Sequence, residues 1–154
     1  MKYLQLTLLT LILIGSSCAP KPKNIPYTRT GMVKCVGHDR QTITVESEAQ
    51  AGTIGKAIAY AEINAFENIL FKGIPNSNQE SPLVPNEYKS TSENRGFYTA
   101  FLDNGGYASY MMSTTLSDDF ESNGVHLVTQ KIQIDLHGLR KHLEKIGIIK
   151  SFGL

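Results

Sequence analysis

Histidine and acidic side chains are the residues of this chain best suited to bind a metal ion. Its four histidines are His38, His126, His137 and His142. His137 and His142 are five residues apart, so they do not share one helix face as the i, i+4 pair of a zinc-binding helix does. The acidic group Asp118, Asp119 and Glu121 lacks the alternating ligands and central glycine of an EF-hand loop, which favours a solvated turn over weak calcium binding. We therefore predict no metal site.

The sequence also lacks the patterns of nucleotide-binding and hydrolytic sites. Gly52 and Gly55 form a G-x-x-G spacing without the third glycine of a dinucleotide-binding loop. No Gly-x-Ser-x-Gly nucleophile elbow occurs. Glu62 and Glu67 are five residues apart, which does not suggest a catalytic carboxylate pair, and Glu62 is expected to face solvent or pair with a lysine. We predict a protein that is not an enzyme and holds no cofactor other than a covalent lipid.

The N-terminus has the composition of a secretory signal. The first two residues form a basic start, an apolar stretch runs from Tyr3 to Ile14, and small residues at 15–17 precede Cys18. The apolar stretch is about a dozen residues, shorter than the roughly 18–20 that span a bilayer. Residues 1–17 are therefore predicted to be a signal peptide that is removed from the mature protein.

Small residues directly before a cysteine resemble the lipobox of bacterial lipoproteins. Most lipoboxes have leucine three residues before the cysteine, where this chain has Gly15, with Ile14 one place further back. In that family the cysteine becomes the first mature residue and carries acyl chains such as palmitate. The resemblance implies a lipid on Cys18; the alternative is an ordinary secretory signal with an incidental cysteine. Cys35 then has no partner for an internal disulfide and is expected to be a buried strand residue.

The residues after the cysteine predict a spacer. Residues 18–27 combine three prolines with two lysines, and the stretch Ala19–Pro26 would extend over roughly 25 Å as a Pro-rich chain. Lipoproteins usually have aspartate after the cysteine when they stay in the inner membrane. Ala19 stands there instead, and no acidic residue precedes Asp39, so the resemblance implies an outer-membrane anchor with the domain facing the periplasm.

The mature chain is long enough for one domain, predicted over residues 28–154. Period-two alternation predicts a hairpin of strands at Thr28–Val36 and Gln41–Ser47. Helical spacing of apolar residues from Ile54 to Leu70 predicts a long Ala-rich helix, which Gly73 and Pro75 end. Because Ile63, Phe66 and Phe71 widen its apolar arc, we expect the helix to be covered on more than one side.

The second half of the chain predicts further strands and one helix. The expected strands are Phe97–Leu102, which a short helix would also fit, Tyr107–Leu116 and Val125–Leu136, with a polar connection at Ser117–Gly124. Asp135 is expected to cap a final helix with apolar residues at 136, 139, 143 and 146. This order of elements predicts an α+β fold: a small, mainly antiparallel sheet with the long helix and a shorter C-terminal helix packed on it.

Two segments are candidates for contact with other proteins. Residues 76–95 form a long polar stretch, interpreted either as a surface loop pinned by Leu83 and Val84 or as a docking arm. The apolar C-terminus is either tucked under the sheet or offered to another subunit. The candidate docking residues are Pro82, Leu83, Val84, Pro85, Phe152 and Leu154.

Residues 31–75 carry a second resemblance. The hairpin strand Thr42–Val45 leads into the Ala-rich helix around Ala57–Phe66, which looks like the strand-then-helix module of small periplasmic lipoproteins and flagellar-assembly proteins. The stretches Leu70–Pro75 and Pro82–Glu87 are similar to segments of Bacteroidota-type envelope lipoproteins, one class of which is the accessory lipoprotein of a type VI secretion membrane complex. The resemblance implies a scaffolding role and carries over no catalytic residue.

Two functions remain as hypotheses from the sequence. The first is a lipid-anchored structural subunit of a trans-envelope assembly, such as a type VI-like secretion membrane complex, in which the protein forms hetero-oligomers with other envelope proteins. The second is a stand-alone periplasmic module that binds a small ligand or peptidoglycan in a concave pocket. A nucleic-acid partner is not expected, because the net charge is only +1 and no basic block occurs.

Overall fold

The sheet has four antiparallel strands in the order β1-β2-β4-β3, in a computed structural model that describes residues 22–151. The strands are β1 (Val33–His38), β2 (Thr42–Ala51), β3 (Met111–Ser122) and β4 (Val125–Asp135). Each strand pairs antiparallel with its neighbour. The predicted α+β class with an antiparallel sheet is therefore confirmed. The central strands β2 and β4 carry the buried face, because period-two alternation turns every second residue inward.

The long helix α1 (Ile54–Phe71) packs on this face. Thr53 caps its start by accepting a hydrogen bond from the Lys56 amide, and Gly73 takes a positive φ of 80° just after its end. The first half of the helix presents fully buried alanines at 57, 61 and 65. Small side chains allow the helix backbone to approach β2 closely, so that the Ser47 hydroxyl donates a 2.7 Å hydrogen bond to the Ala61 carbonyl.

Larger side chains fill the second half of the interface. Phe66, Ile69 and Leu70 of α1 are fully buried in one cluster with Ile43 of β2 and Ile132 of β4. The predicted cover on a second side of the helix is also present. Its aromatic part consists of Phe101 and Tyr107, whose rings lie 5.8 Å and 5.1 Å from the ring of Phe66.

The C-terminal helix α4 (Leu136–Lys145) matches its prediction closely. Asp135 accepts a 2.8 Å hydrogen bond from the Gly138 amide, as an N-cap does. Leu139 and Leu143 are fully buried against the same core as α1. Ile146 is 43% exposed instead of lying on the buried face, because the helix ends before it and Gly147 turns the chain with a φ of 77°.

The segment between α1 and β3 contains short helices from Glu87 onward, which corrects one prediction and selects between two alternatives in another. The polar stretch 76–95 contains helix α2 (Glu87–Glu93), which Asn86 caps. Residues 97–102, predicted as a strand or a short helix, are helical. They form the end of a short helix α3 (Arg95–Tyr98) and most of a π-helix (Thr99–Asp103). Helical spacing brings Phe97 and Phe101 into a stack at 5.2 Å, and this packing outweighs the strand propensity of aromatic residues.

The boundaries of β3 also differ from the prediction. Residues 107–110 belong to a 3-10 helix (Gly106–Tyr110), and the strand then continues through the acidic residues Asp118, Asp119 and Glu121 to Ser122. These residues pair along β4, so the predicted polar connection is a strand. The hairpin turn is the pair Asn123 and Gly124, with φ values of 53° and 72°. Such an Asn-Gly pair is a strong hairpin signal that places the turn later than predicted.

The first hairpin is shifted along the chain from its prediction. Strand β1 starts at Val33 rather than Thr28 and extends to His38, while β2 extends beyond Ser47 to Ala51. One extra residue lies between Cys35 and Gly37, so a β-bulge interrupts the register with β2. Cys35 is half-buried against the core rather than fully buried.

Replacing Ala61 by leucine tests the close helix–sheet contact. Ala61→Leu is expected to lower the free energy of unfolding by about 1–3 kcal/mol, because the added carbons have no space between α1 and β2. Ala59→Leu is the matched control on the half-exposed side of the same helix and is expected to change stability by less than about 0.5 kcal/mol. Chemical denaturation measures both; equal effects of the two substitutions would contradict the packing described here.

Candidate functional site

A groove of about 1090 Å³ opens between the segment after α1 and the end of α4. One wall is formed by residues 81–86 and by α2, and the other by α4 and residues 147–151. Four of the six predicted docking residues line the first wall: Pro82, Leu83, Val84 and Pro85. The structure therefore brings these residues to a concave surface, while their contact with a partner stays a prediction.

Backbone hydrogen bonds to the end of α1 hold the first wall in place. The amides of Leu83 and Val84 donate to the carbonyls of Ile69 and Leu70, at 3.2 Å and 2.8 Å. Carbonyls in the last turn of a helix have no partner within the helix, so this segment takes the role of a cap. Val84 is only 4% exposed and belongs to the core, whereas Pro85 is exposed. The pinned-loop interpretation is thus correct for Leu83 and Val84, and Pro85 is the candidate most open to a partner.

Charged side chains ring the groove, with Arg140 of α4 in its wall. The Arg140 guanidinium donates hydrogen bonds to the Asn78 carbonyl and the Gln79 side-chain oxygen. Its Nε is buried without a hydrogen-bond partner among residues 22–151. Lys89, Glu93 and Glu144 also line the groove. A concave apolar surface with these groups around it is suited to an extended peptide or a small polar molecule.

The C-terminal tail forms the far wall. Ile148 and Ile149 are partly buried against the core, and the Ile148 amide donates a 2.9 Å hydrogen bond to the Leu143 carbonyl. Ser151 is the last described residue and also lines the groove. The predicted docking residues Phe152 and Leu154 lie outside the described residues, as does Cys18.

The N-terminal segment, Lys23 to Gly31, which we call the strap, runs against α1. Lys23 contacts Gly52 so closely that a Cβ built on this glycine would lie 1.6 Å from the Lys23 carbonyl oxygen. The ring of Tyr27 lies 5.2 Å from that of Tyr60 in the middle of α1. Lys23 and Tyr27 fall within the predicted spacer, so part of that spacer contacts the domain.

A buried carboxylate, Glu67, fastens the strap to α1. Glu67 is 5% exposed, accepts a hydrogen bond from the Tyr27 hydroxyl and forms a 2.8 Å ion pair with Arg29. Arg29 also pairs with Glu87 of α2, and its guanidinium lies 5.4 Å from the ring centre of Phe71. Burial raises the pKa of Tyr27, and the hydrogen bond to Glu67 raises it further. Sequence reasoning missed this cluster; the signal available was a glutamate on the apolar arc of the helix.

The second glutamate of α1, Glu62, corrects an expectation. Glu62 accepts hydrogen bonds from the Tyr107 hydroxyl at 3.1 Å and the Gln130 side chain at 3.4 Å, so it does not point freely into solvent, and no lysine between residues 22 and 151 pairs with it. Burial raises the pKa of Tyr107, and the nearby Glu62 adds to this effect. Two tyrosine–glutamate pairs therefore connect α1 to the segments that cover it.

The histidines are spread over the fold. His126 lies 3.1 Å from the Asp119 carboxylate, while His142 packs beside the rings of Phe97 and Tyr110. Within residues 22–151 no three histidine, cysteine or acidic side chains come close enough together to hold a metal ion.

Substitution of Tyr27 tests the strap contact. Tyr27→Phe is expected to lower the free energy of unfolding near neutral pH by about 1–3 kcal/mol, because Glu67 loses a buried hydrogen-bond donor. Above about pH 10 an unfolded tyrosine ionises while folded Tyr27 keeps its proton, so stability falls as pH rises, and the substitution should make this fall less steep. Denaturant unfolding over this pH range measures both effects.

Tyr88→Phe is the matched control, since Tyr88 is 87% exposed. It should leave both the neutral-pH stability and the alkaline slope unchanged. Tyr27→Phe with unaltered stability at both pH values would mean that the strap does not hold to α1 in solution.

Comparison with known proteins adds no relative. No protein-family model matches the chain, and neither the curated proteins nor the solved structures contain a match. None of the helices between residues 22 and 151 is long and apolar enough to cross a bilayer.

Proposed function

We propose that this protein is a lipid-anchored, periplasm-facing structural subunit of a trans-envelope assembly. The observation that carries the proposal is that the first residue of the strap and the groove lie at opposite ends of α1. Lys23, the first residue of the strap, contacts Gly52 just before the helix, whereas the groove wall is hydrogen-bonded to Ile69 and Leu70 in the last turn of the helix. The 18 residues of α1 make it about 27 Å long.

The position of the strap is evidence for a lipid anchor close to the domain. Cys18 precedes Lys23 by five residues, and an extended chain spans at most about 3.6 Å per residue, so the proposed lipid attaches within about 18 Å of Lys23. Because the strap is packed on α1, the anchor fixes which end of the domain lies near the membrane. The groove then lies at the far end, where it is accessible to other envelope proteins.

The groove supports a protein partner. Its apolar wall of Pro82 and Pro85 lies opposite the partly buried tail residues Ile148 and Ile149, and charged groups ring both walls. Such a surface fits an extended segment of another protein, which would bury the prolines and meet the charges at the rim. The resemblance of residues 31–75 to envelope lipoproteins points to a secretion-system membrane complex, type VI-like, as the assembly.

A stand-alone binding module is the second candidate, because the groove is also large enough for a small ligand or a peptidoglycan fragment. In this case the Arg140 guanidinium, which lines the groove, would bind a carboxylate or carbonyl oxygen of the ligand. Arg140→Met would abolish binding of a soluble peptidoglycan fragment, measured by calorimetry, without lowering the recovery of protein complexes from membranes.

Replacement of Cys18 tests the anchor. Cys18→Ala is expected to leave the domain folded and to move the protein from the membrane fraction to the soluble periplasmic fraction, because stable anchoring needs the acyl chains. Fractionation followed by immunoblotting measures the distribution, and Cys35→Ala is the matched control that should stay membrane-bound. Retention of the Cys18→Ala protein in the membrane would contradict a lipid anchor.

Site-specific crosslinking tests the groove. A photoreactive benzoylphenylalanine at the exposed Pro85 is expected to form one discrete adduct with another envelope protein, identified by mass spectrometry as part of a membrane-spanning complex. The same probe at Met32, which is 55% exposed and does not line the groove, is the control and should form none. Purification of the lipidated protein as a monomer, with no adduct at Pro85, would contradict the assembly role.

A further inference from the structure

An exposed apolar pair lies at the end of the sheet near the strap. Phe120 of β3 and Leu127 of β4 are 61% and 44% exposed, and they lie next to each other rather than scattered over the surface. They are direct cross-strand partners, so both point to the same face of the sheet. This is the outer face, because Val128, the next residue of β4, is fully buried under α1.

Strand pairing places this pair beside the point where the strap begins. Leu127 pairs on its other side with Gln50 of β2, two residues before Gly52. Neighbouring strands are about 4.8 Å apart, so Phe120 lies about 10 Å across the sheet from Gln50. Lys23 contacts Gly52 at the same end of the sheet. The apolar pair and the proposed lipid attachment are thus at one end of the domain.

We infer that Phe120 and Leu127 insert into the surface of the bilayer that holds the lipid on Cys18. The inference rests on the proposed lipid anchor and deepens it, since it names the second contact with the membrane. An aromatic and an aliphatic side chain at the tip of a hairpin add a weak hydrophobic contact to an acyl anchor that already keeps them close to the bilayer. Together the two contacts hold the domain in one orientation.

The charged residues near Phe120 and Leu127 favour one kind of lipid surface. Asp118, two residues before Phe120, lies on the same face of β3, whereas Asp119 and Glu121 lie on the opposite face, where Asp119 is 3.1 Å from His126. Carboxylates are repelled by anionic headgroups, because like charges raise the energy of approach. The surface that fits this end of the domain is therefore a zwitterionic bilayer.

Tryptophan fluorescence can test this contact cleanly, because the chain contains no tryptophan. Phe120→Trp introduces a single reporter in the pair. Met112→Trp is the matched control: Met112 is 58% exposed on the same strand, eight residues and about 27 Å away. Leu127→Trp provides a second reporter in the pair. Each lipidated variant is incorporated into phosphatidylcholine vesicles with or without brominated acyl chains, which quench indole emission on contact.

We expect bromolipid to remove about half or more of the emission of F120W and L127W and to leave that of M112W nearly unchanged. Adding anionic lipid to the vesicles should reduce the quenching of F120W. Equal quenching of all three variants, or none, while all of them float with the vesicles would overturn the inference. A blue shift of F120W that depends on protein concentration and not on bromolipid would also overturn it, since two copies would then cover the pair.

Flotation of the unsubstituted protein with vesicles tests the lipid anchor separately from the membrane contact of Phe120 and Leu127. If the lipidated protein fails to float with vesicles, the proposed anchor is wrong and the inference fails with it. If it floats and F120W is not quenched, the anchor stands and the membrane contact of the sheet is wrong.

Discussion

The fold depends on the polar junction centred on Asn64. This side chain is only 1% exposed, and its amide donates to the Gly31 carbonyl at 3.0 Å and the Glu48 carbonyl at 3.2 Å. One residue of α1 thus joins the strap, the helix and β2. A buried amide without these partners would cost about 1–3 kcal/mol, so the junction favours the fold in which all three segments come together. Gly31 is required there, because a Cβ would lie 1.7 Å from the Glu48 carbonyl oxygen.

This junction explains why the domain has two distinct ends. The strap is fixed to the middle of α1 at Asn64 and Glu67, so the chain that precedes it must leave near Gly52. The other end of α1 is capped by the amides of Leu83 and Val84, and the segment that contains these two residues also forms one wall of the groove. A single helix therefore separates the proposed attachment to the membrane from the proposed attachment to a partner.

Much of the fold could be predicted from the sequence because its signals are local. The spacing of Ala57, Ala61 and Ala65 defined α1, and alternation along β4 defined its buried face. The acidic strand β3 could not be recognised in this way, since its pairing with β4 outweighs the low strand propensity of Asp118 and Asp119. Helix α2 was missed because it is short. The helical form of residues 97–102 was only one of two alternatives, because aromatic packing on α1 rather than periodicity stabilises it.

The candidate site could be predicted only in part. Prolines around Leu83 and Val84 marked one wall of the groove, whereas Arg140 and Glu67 acquire their roles from contacts with residues 61 and 38 positions away. A pattern along the chain does not reveal partners that distant. For the same reason residues 23–27 of the strap were predicted as part of a spacer and residues 28–31 as part of a strand, since no local pattern shows that Tyr27 and Arg29 bind α1.

The long edge strand has a consequence for solubility. Strand β3 has twelve residues, and within the described chain it pairs only with β4, so its other edge presents free backbone groups. Such an edge can recruit a strand from a second molecule and start aggregation. Two register shifts, near Met112 and Ser117, bend the strand, and the carboxylates that follow carry negative charge along it. The acidic residues Asp118, Asp119 and Glu121 therefore disfavour the association of this edge with a strand of a second molecule.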